Sequence, residues 1–135
     1  MIRPLCRDDE ILNAISRKAT KKDIHLAKDL EDTIRMYMNC TGMSADMIGE
    51  NVQAVIVKTE DFCEVMFNPV IIKQQRPYEA EEYCLVNTGP HTAVRYFDIE
   101  VEYRDRHWKR RRKVLKGLPA QVVQHEMDHL QGRRI

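Results

Sequence analysis

The sequence predicts an α+β fold from three observations: apolar residues at helical spacing near the N-terminus, several β-patterned segments in the middle, and a second helical pattern at the C-terminal end. Residues 1–19 are mixed in character and are expected to be irregular, wrapping the body. Thr20-x-x-Asp23 resembles a capping box with Asp in place of Glu. Ile24, Ala27, Leu30, Ile34 and Tyr37 or Met38 then recur at three- and four-residue steps. That spacing predicts a helix over Asp23 to Met38, stopped at Asn39, with Lys28, Asp29, Glu31 and Asp32 solvated. After Gly42 to Gly49 the pattern changes. Val52, Ala54 to Val57 and Glu64 to Phe67 read as strands joined by Lys58 to Phe62. Asn68-Pro69 breaks the second strand, Val70-Ile71-Ile72 resumes it, and Glu79 to Glu82 reads as an acidic loop. Val94, Tyr96, Ile99, Val101 and Tyr103 mark a strand with one slip in phase, and Arg110 to Leu115 is its expected partner. The last helix has Pro119 in its first turn, Val122, Val123, Met127 and Leu130 at helical steps, and Gly132 as its stop. Met36, Met38, Met43 and Met47 are expected to fill core.

The 135 residues suit one domain spanning 1–135. With 43% hydrophobic and 32% charged residues, the composition is that of a globular chain and argues against global disorder. Twenty-two basic against 21 acidic residues leave a formal charge of +1, which excludes a general DNA or anionic-membrane binder on charge alone. No apolar run approaches a membrane span, and the first residues lack the apolar core of a secretory signal. A cytoplasmic setting with reduced thiols is therefore expected for Cys6, Cys40, Cys63 and Cys84. The basic run Lys109 to Lys113 is close in sequence to Glu100, Glu102 and Asp105. It reads first as a solvated strand and second as a ribosome contact, and Trp108 beside it reads as packing.

The chemistry sits in His125-Glu126-Met127-Asp128-His129. Histidines at i and i+4 share one helix face and can reach one metal ion, while the intervening Glu126 can act as general base for metal-assisted hydrolysis. Such a site needs a third protein ligand. Only six residues follow His129, so that ligand is sought upstream among the cysteines, His25, His91, His107 or a carboxylate. Cys84 is the most attractive of these because a strand edge at Leu85-Val86 would place it beside the helix.

Gln124 to Gly132 resembles the Q-H-E-x-D-H-L-x-G motif of peptide deformylases at every specified position. Glu82-Tyr83-Cys84-Leu85-Val86 resembles the family's E-G-C-L-S motif, and Cys40 to Gly49 resembles its G-x-G-L-A-A-x-Q-x-G motif, in the same order along the chain. The likeness runs from Ile2 to Gly132, without the family's usual extension after this helix. It implies antiparallel sheet packed around a metal-binding C-terminal helix, with a further helix near the N-terminus. It also implies Cys84, His125 and His129 as ligands to one divalent ion: ferrous iron, with zinc or nickel as substitutes. By the same likeness Glu126 moves the proton of the attacking water to the leaving amine, the backbone N–H of Leu85 supports the oxyanion, and the substrate is an N-formyl-methionyl peptide.

Gly42, Met43, Met47, Tyr83 and Gln121 fall by the same resemblance in the substrate and oxyanion region. Met47 stands where the family has a Gln, and a thioether donates no hydrogen bond. Ser44 and Gln53 are the nearby polar substitutes. Tyr83 replaces a glycine, Cys40 another, and Asp46 a proline. Gln121 stands where the family often has an apolar residue lining the methionine pocket. These departures also fit a deformylase-like hydrolase with another formyl or amide substrate, or a ribosome-associated metal-binding relic.

Overall fold

The middle of the chain folds as one antiparallel five-stranded sheet in sequential order, β1 (Gly42–Ser44), β2 (Ala54–Thr59), β3 (Phe62–Glu82), β4 (His91–Arg104) and β5 (Arg110–Lys116). Three α-helices flank it: α1 (Asp9–Leu12), α2 (His25–Ile34) and α3 (Leu118–Leu130). The computed structural model describes every residue from Met1 to Ile135. No helix is long and apolar enough to cross a membrane.

The Thr20–Asp23 capping box forms as expected, but over a 3-10 turn, Lys21–Asp23, that precedes α2. The helix ends at Ile34 rather than running on to Met38, because Met36 and Tyr37 turn back through tight bonds to the carbonyls of Thr33 and Ile34. Met36 and Met38 are consequently exposed rather than core, whereas Met43 and Met47 are buried. Asp29, expected in solvent, is buried because the Met1 ammonium and the Arg3 guanidinium fold over it at 3.0 and 3.1 Å. Leu26, Leu30 and Ile34 are fully buried. Each such side chain contributes about 1.5–3 kcal/mol, so packing outweighs a cap worth about 0.5–2 kcal/mol.

Strand β2 is the structural centre. Its period-2 pattern is buried on both faces: Ala54 and Ile56 pack with α2, Met43, Met47 and Phe67, while Val55 and Val57 pack with Val101, Leu115 and Val123 of α3. The helices α2 and α3 thus lie on opposite faces, each with its own core.

The 21-residue β3 corrects two expectations. Asn68-Pro69 does not end the strand. It shifts the register against β4 between Phe67 and Val70, and Asn68 takes φ +52° while its side-chain amide clasps the backbone of Ala19 in both directions. Glu79 to Glu82 is not a loop but the paired end of β3, with Ala80 and Glu82 alternating inward. The short α1 and the segment Gly42–Ile48, a strand then a 3-10 turn, carried too little periodicity to be read in advance. On β5 the basic run meets acids: Arg110 and Arg112 reach Glu102, Arg111 reaches Asp105, and Lys113 reaches Glu64. Trp108 packs on Phe67, ring centroids 5.6 Å apart, in the packing role expected of it.

Candidate metal centre

Helix α3 starts behind Gly117, whose φ of +67° turns the chain out of β5. Gln124 then fixes the helix to the sheet. Its Nε2 donates to the Tyr96 carbonyl at 2.8 Å, and its Oε1 accepts from the Tyr96 N–H at 2.8 Å. With α3 so registered, His125, Glu126 and His129 face inward and are 7%, 4% and 2% exposed.

Cys84 lies two residues past the end of β3 and meets them there. The ligand atoms of Cys84, His125 and His129 all lie within 4.8 Å of one another. Of the other candidates, His25 and His107 are exposed, His91 pairs with Glu82 in the ladder outside this group, and Cys6 and Cys63 lie elsewhere. Cys40 lines the adjoining cavity, its Sγ–H donating to the Gly42 carbonyl at 3.0 Å.

Sequence reasoning passed over the groups that orient the cluster. Glu82 is buried and accepts from His125 Nδ1 at 2.7 Å, which leaves Nε2 of that ring free to ligate. The guanidinium of Arg95, 4% exposed, grips both oxygens of Glu82 and reaches Asp128 at 2.6 Å. The signal for Arg95 was the phase slip in β4: Ile99, Val101 and Tyr103 set the inward parity, and Arg95 occupies an inward position on it. Burial alone would raise the Glu82 pKa, but His125, Arg95 and Gln121 hold it down to about 2. Burial likewise opposes ionisation of Cys84, yet the two imidazoles bring its thiol down to about 7. Against the pull of burial, Cys84 and the neighbouring carboxylates raise both histidines.

His129 has Glu126 Oε1 3.1 Å from Nδ1 on one side and the Ile135 backbone oxygen 2.9 Å from Nε2 on the other. Glu126 is buried, and the close polar neighbour of its Oε1 is that imidazole. Gly42 of β1 gives the Glu126 side chain its room: a Cβ there would overlap Val122 Cγ1 and lie 2.9 Å from Glu126 Oε2. A thiol of lowered pKa and two imidazoles, beside a buried carboxylate, form a donor set suited to one divalent transition metal ion.

The cluster opens into a cavity of about 640 Å³ whose lining includes Gly42, Met47, Tyr83, Leu85, Gln121 and Val122. Met43 does not reach it; that side chain is fully buried in the α2-side core. The Met47 sulfur is turned toward its own turn, accepting the Ser44 N–H at 3.4 Å. Neither proposed substitute lines the cavity: Ser44 donates to the Asp46 carboxylate, and Gln53 donates to the Ser16 carbonyl. Burial pushes Asp46 up to about 6. Tyr83 stands 69% exposed at the rim, outside the left-handed region, with its hydroxyl on Glu81. Leu85 is also at the rim, and its N–H donates to no protein group.

Comparison with known proteins agrees with this architecture. The family model described as polypeptide deformylase matches residues 3–135. A peptide deformylase of Clostridium beijerinckii is 41% identical over 133 residues, covering 98% of this chain and 98% of that one. One from Dictyoglomus thermophilum is 34% identical over 140 residues, covering 100% of this chain and 91% of its own length. Among solved structures, a class I type b peptide deformylase from Acinetobacter baumannii superposes with a TM-score of 0.88 at 26% identity, each chain covered fully. The peptide deformylase of Thermotoga maritima superposes with a TM-score of 0.86 at 26% identity, covering 98% of this chain and 92% of that one. Matched from end to end in both sequence and backbone, the chain belongs to the polypeptide deformylase family, enzymes that remove the N-formyl group from nascent polypeptides.

Proposed function

We propose that this chain carries out the deformylation with Cys84, His125 and His129 holding one divalent ion, ferrous iron first and zinc or nickel as alternatives, and with Glu126 as general base. The convergence of those three donors within 4.8 Å, beside the buried carboxylate of Glu126, carries the reading. When bound, the ion supplies Lewis acidity for the formyl carbonyl and eases deprotonation of water. Glu126 accepts the proton of the attacking water and passes it to the leaving amine. The free N–H of Leu85 donates to the oxyanion as it forms. The peptide lies in the cavity bounded by Gly42, Met47, Tyr83 and Gln121. Met47 offers no donor there, so among this chain's own groups oxyanion support falls to the Leu85 N–H.

We place the reaction in the cytoplasm, on N-formyl-methionyl peptides. The run 109–113 we read as a solvated strand rather than a ribosome contact, on the support of its cross-strand ion pairs.

Protein loaded anaerobically with ferrous iron is expected to deformylate formyl-Met-Ala. Glu126→Gln is expected to lower kcat by about 10²–10⁴ while the metal stays bound. The missing donor at Met47 favours one second reading, another formyl or amide substrate. Metal bound one to one with no turnover of formyl-Met-Ala, but turnover of other formylated amines, would establish that second reading instead.

A further inference from the structure

Gln121 lies on α3 one turn before His125 and lines the cavity. Its carboxamide is held from both ends. Tyr78 Oη donates to Gln121 Oε1 at 3.0 Å, and Gln121 Nε2 donates to Glu82 Oε2 at 2.9 Å. The direction of every bond in this chain is forced by chemistry. The Arg95 fork and the His125 ring already make both oxygens of Glu82 acceptors, so Gln121 presents its nitrogen to it, its oxygen faces Tyr78, and the phenol donates. On the far side of Glu82, Oε1 takes the Nδ1–H of His125 at 2.7 Å. Arg95 bridges both oxygens of Glu82, at 2.9 Å from Nε to Oε2 and 2.7 Å from Nη2 to Oε1.

We infer that Tyr78 and Gln121 are positioning residues for the metal ligand His125, acting through Glu82: the relay phenol, carboxamide, carboxylate, imidazole fixes the plane of Glu82 and with it the tautomer and tilt of the ring. Arg95 alone supplies a fork that either oxygen can satisfy. The second donor on Oε2 is what reserves Oε1 for the histidine. Tyr78 in turn stops the carboxamide from flipping, since a flipped Gln121 would set its oxygen against Glu82. The inference rests on the reading that Cys84, His125 and His129 hold the ion.

The test compares wild type, Gln121→Leu and Tyr78→Phe for zinc affinity by competition with a chromophoric chelator, and for the absorption spectrum of the cobalt-substituted protein at full occupancy. Gln121→Leu is expected to weaken zinc binding about tenfold, the lower end of what outer partners of a metal ligand are worth. Tyr78→Phe is expected to weaken it in the same direction by a smaller factor. Both are expected to shift the cobalt ligand-field bands, a change that a purely structural role for the two side chains would not produce. Tyr78→Phe removes one oxygen atom from a half-buried side chain, so it decides the matter if Gln121→Leu fails to fold. Unchanged zinc affinity and unchanged cobalt bands in a folded variant would overturn the relay and leave the proposed function standing. A wild-type protein that binds no zinc would overturn the metal-site reading itself.

Discussion

At position 42 a Cβ would overlap Val122 and press on Glu126, so the glycine there serves close approach of β1 to α3 rather than a turn. Gly42→Ala is therefore expected to destabilise the protein by about 1–3 kcal/mol through overpacking. It should also lower kcat by displacing the carboxylate, which a thermal melt and a formyl-peptide assay will check together. Met47 poses the converse case. Its sulfur accepts the Ser44 N–H, and a Gln carbonyl in its place would accept the same proton while leaving an amide N–H₂ for the cavity. Met47→Gln is expected to raise kcat, by up to about 10², since one oxyanion donor is commonly worth that much. KM should change little, and steady-state kinetics on formyl-Met-Ala will show whether it does. The two histidines could be read from the sequence, because i and i+4 on one helix is a local pattern, whereas Cys84 stands there as one candidate among several. Inward parity on β4 singles out Arg95, but the role of Glu82 and Arg95 depends on a contact between the end of β3 and that position of β4.

Among the elements, α3 has to serve a core and a cluster at once, and Gln124 reconciles the two. The side chain replaces a missing strand neighbour for Tyr96, pairing with both its N–H and its carbonyl. Gln124→Leu would leave that backbone N–H and carbonyl without partners in a half-buried place. The expected loss is about 2–4 kcal/mol from two orphaned groups, visible as a lower urea midpoint with an unchanged slope. Periodicity located α3 and β4, an apolar run located β2, and β5 reads as the partner of β4. Periodicity failed for β3 because the register shifts near Asn68 and Ile71 reset the inward parity, so that Glu79 to Glu82 read as a charged loop although Glu82 faces inward. Chain ends and turns failed for another reason. α1 and the 3-10 turn at Ala45–Ile48 are one turn long, too short to show a repeat.

Over the whole molecule, carboxylates staple the irregular segments to the elements beside them. Asp23 takes the guanidinium of Arg17 at 2.9 Å, which ties the N-terminal arm to the start of α2. Asp105 closes the β4–β5 connection: it accepts the N–H groups of His107 and Lys109, each at 2.9 Å, and Arg111 Nε at 2.9 Å. For Asp23 the ion pair with Arg17, and for Asp105 those backbone N–H groups and Arg111 acting against burial, hold the carboxyl below its ordinary range. A folded-state pKa below the unfolded one means that the unfolded chain binds protons first as the pH falls. The stability these groups contribute is thus complete above about pH 5 and is lost as the pH falls from there through their lowered folded-state values. Asp105→Asn keeps one acceptor for the backbone but abolishes the titration and the pairing with Arg111. The variant should be less stable than wild type at pH 7, with the gap closing as the pH approaches 3. Urea unfolding at a series of pH values will measure the gap, and one that stays constant with pH would remove Asp105 from the account of acid sensitivity.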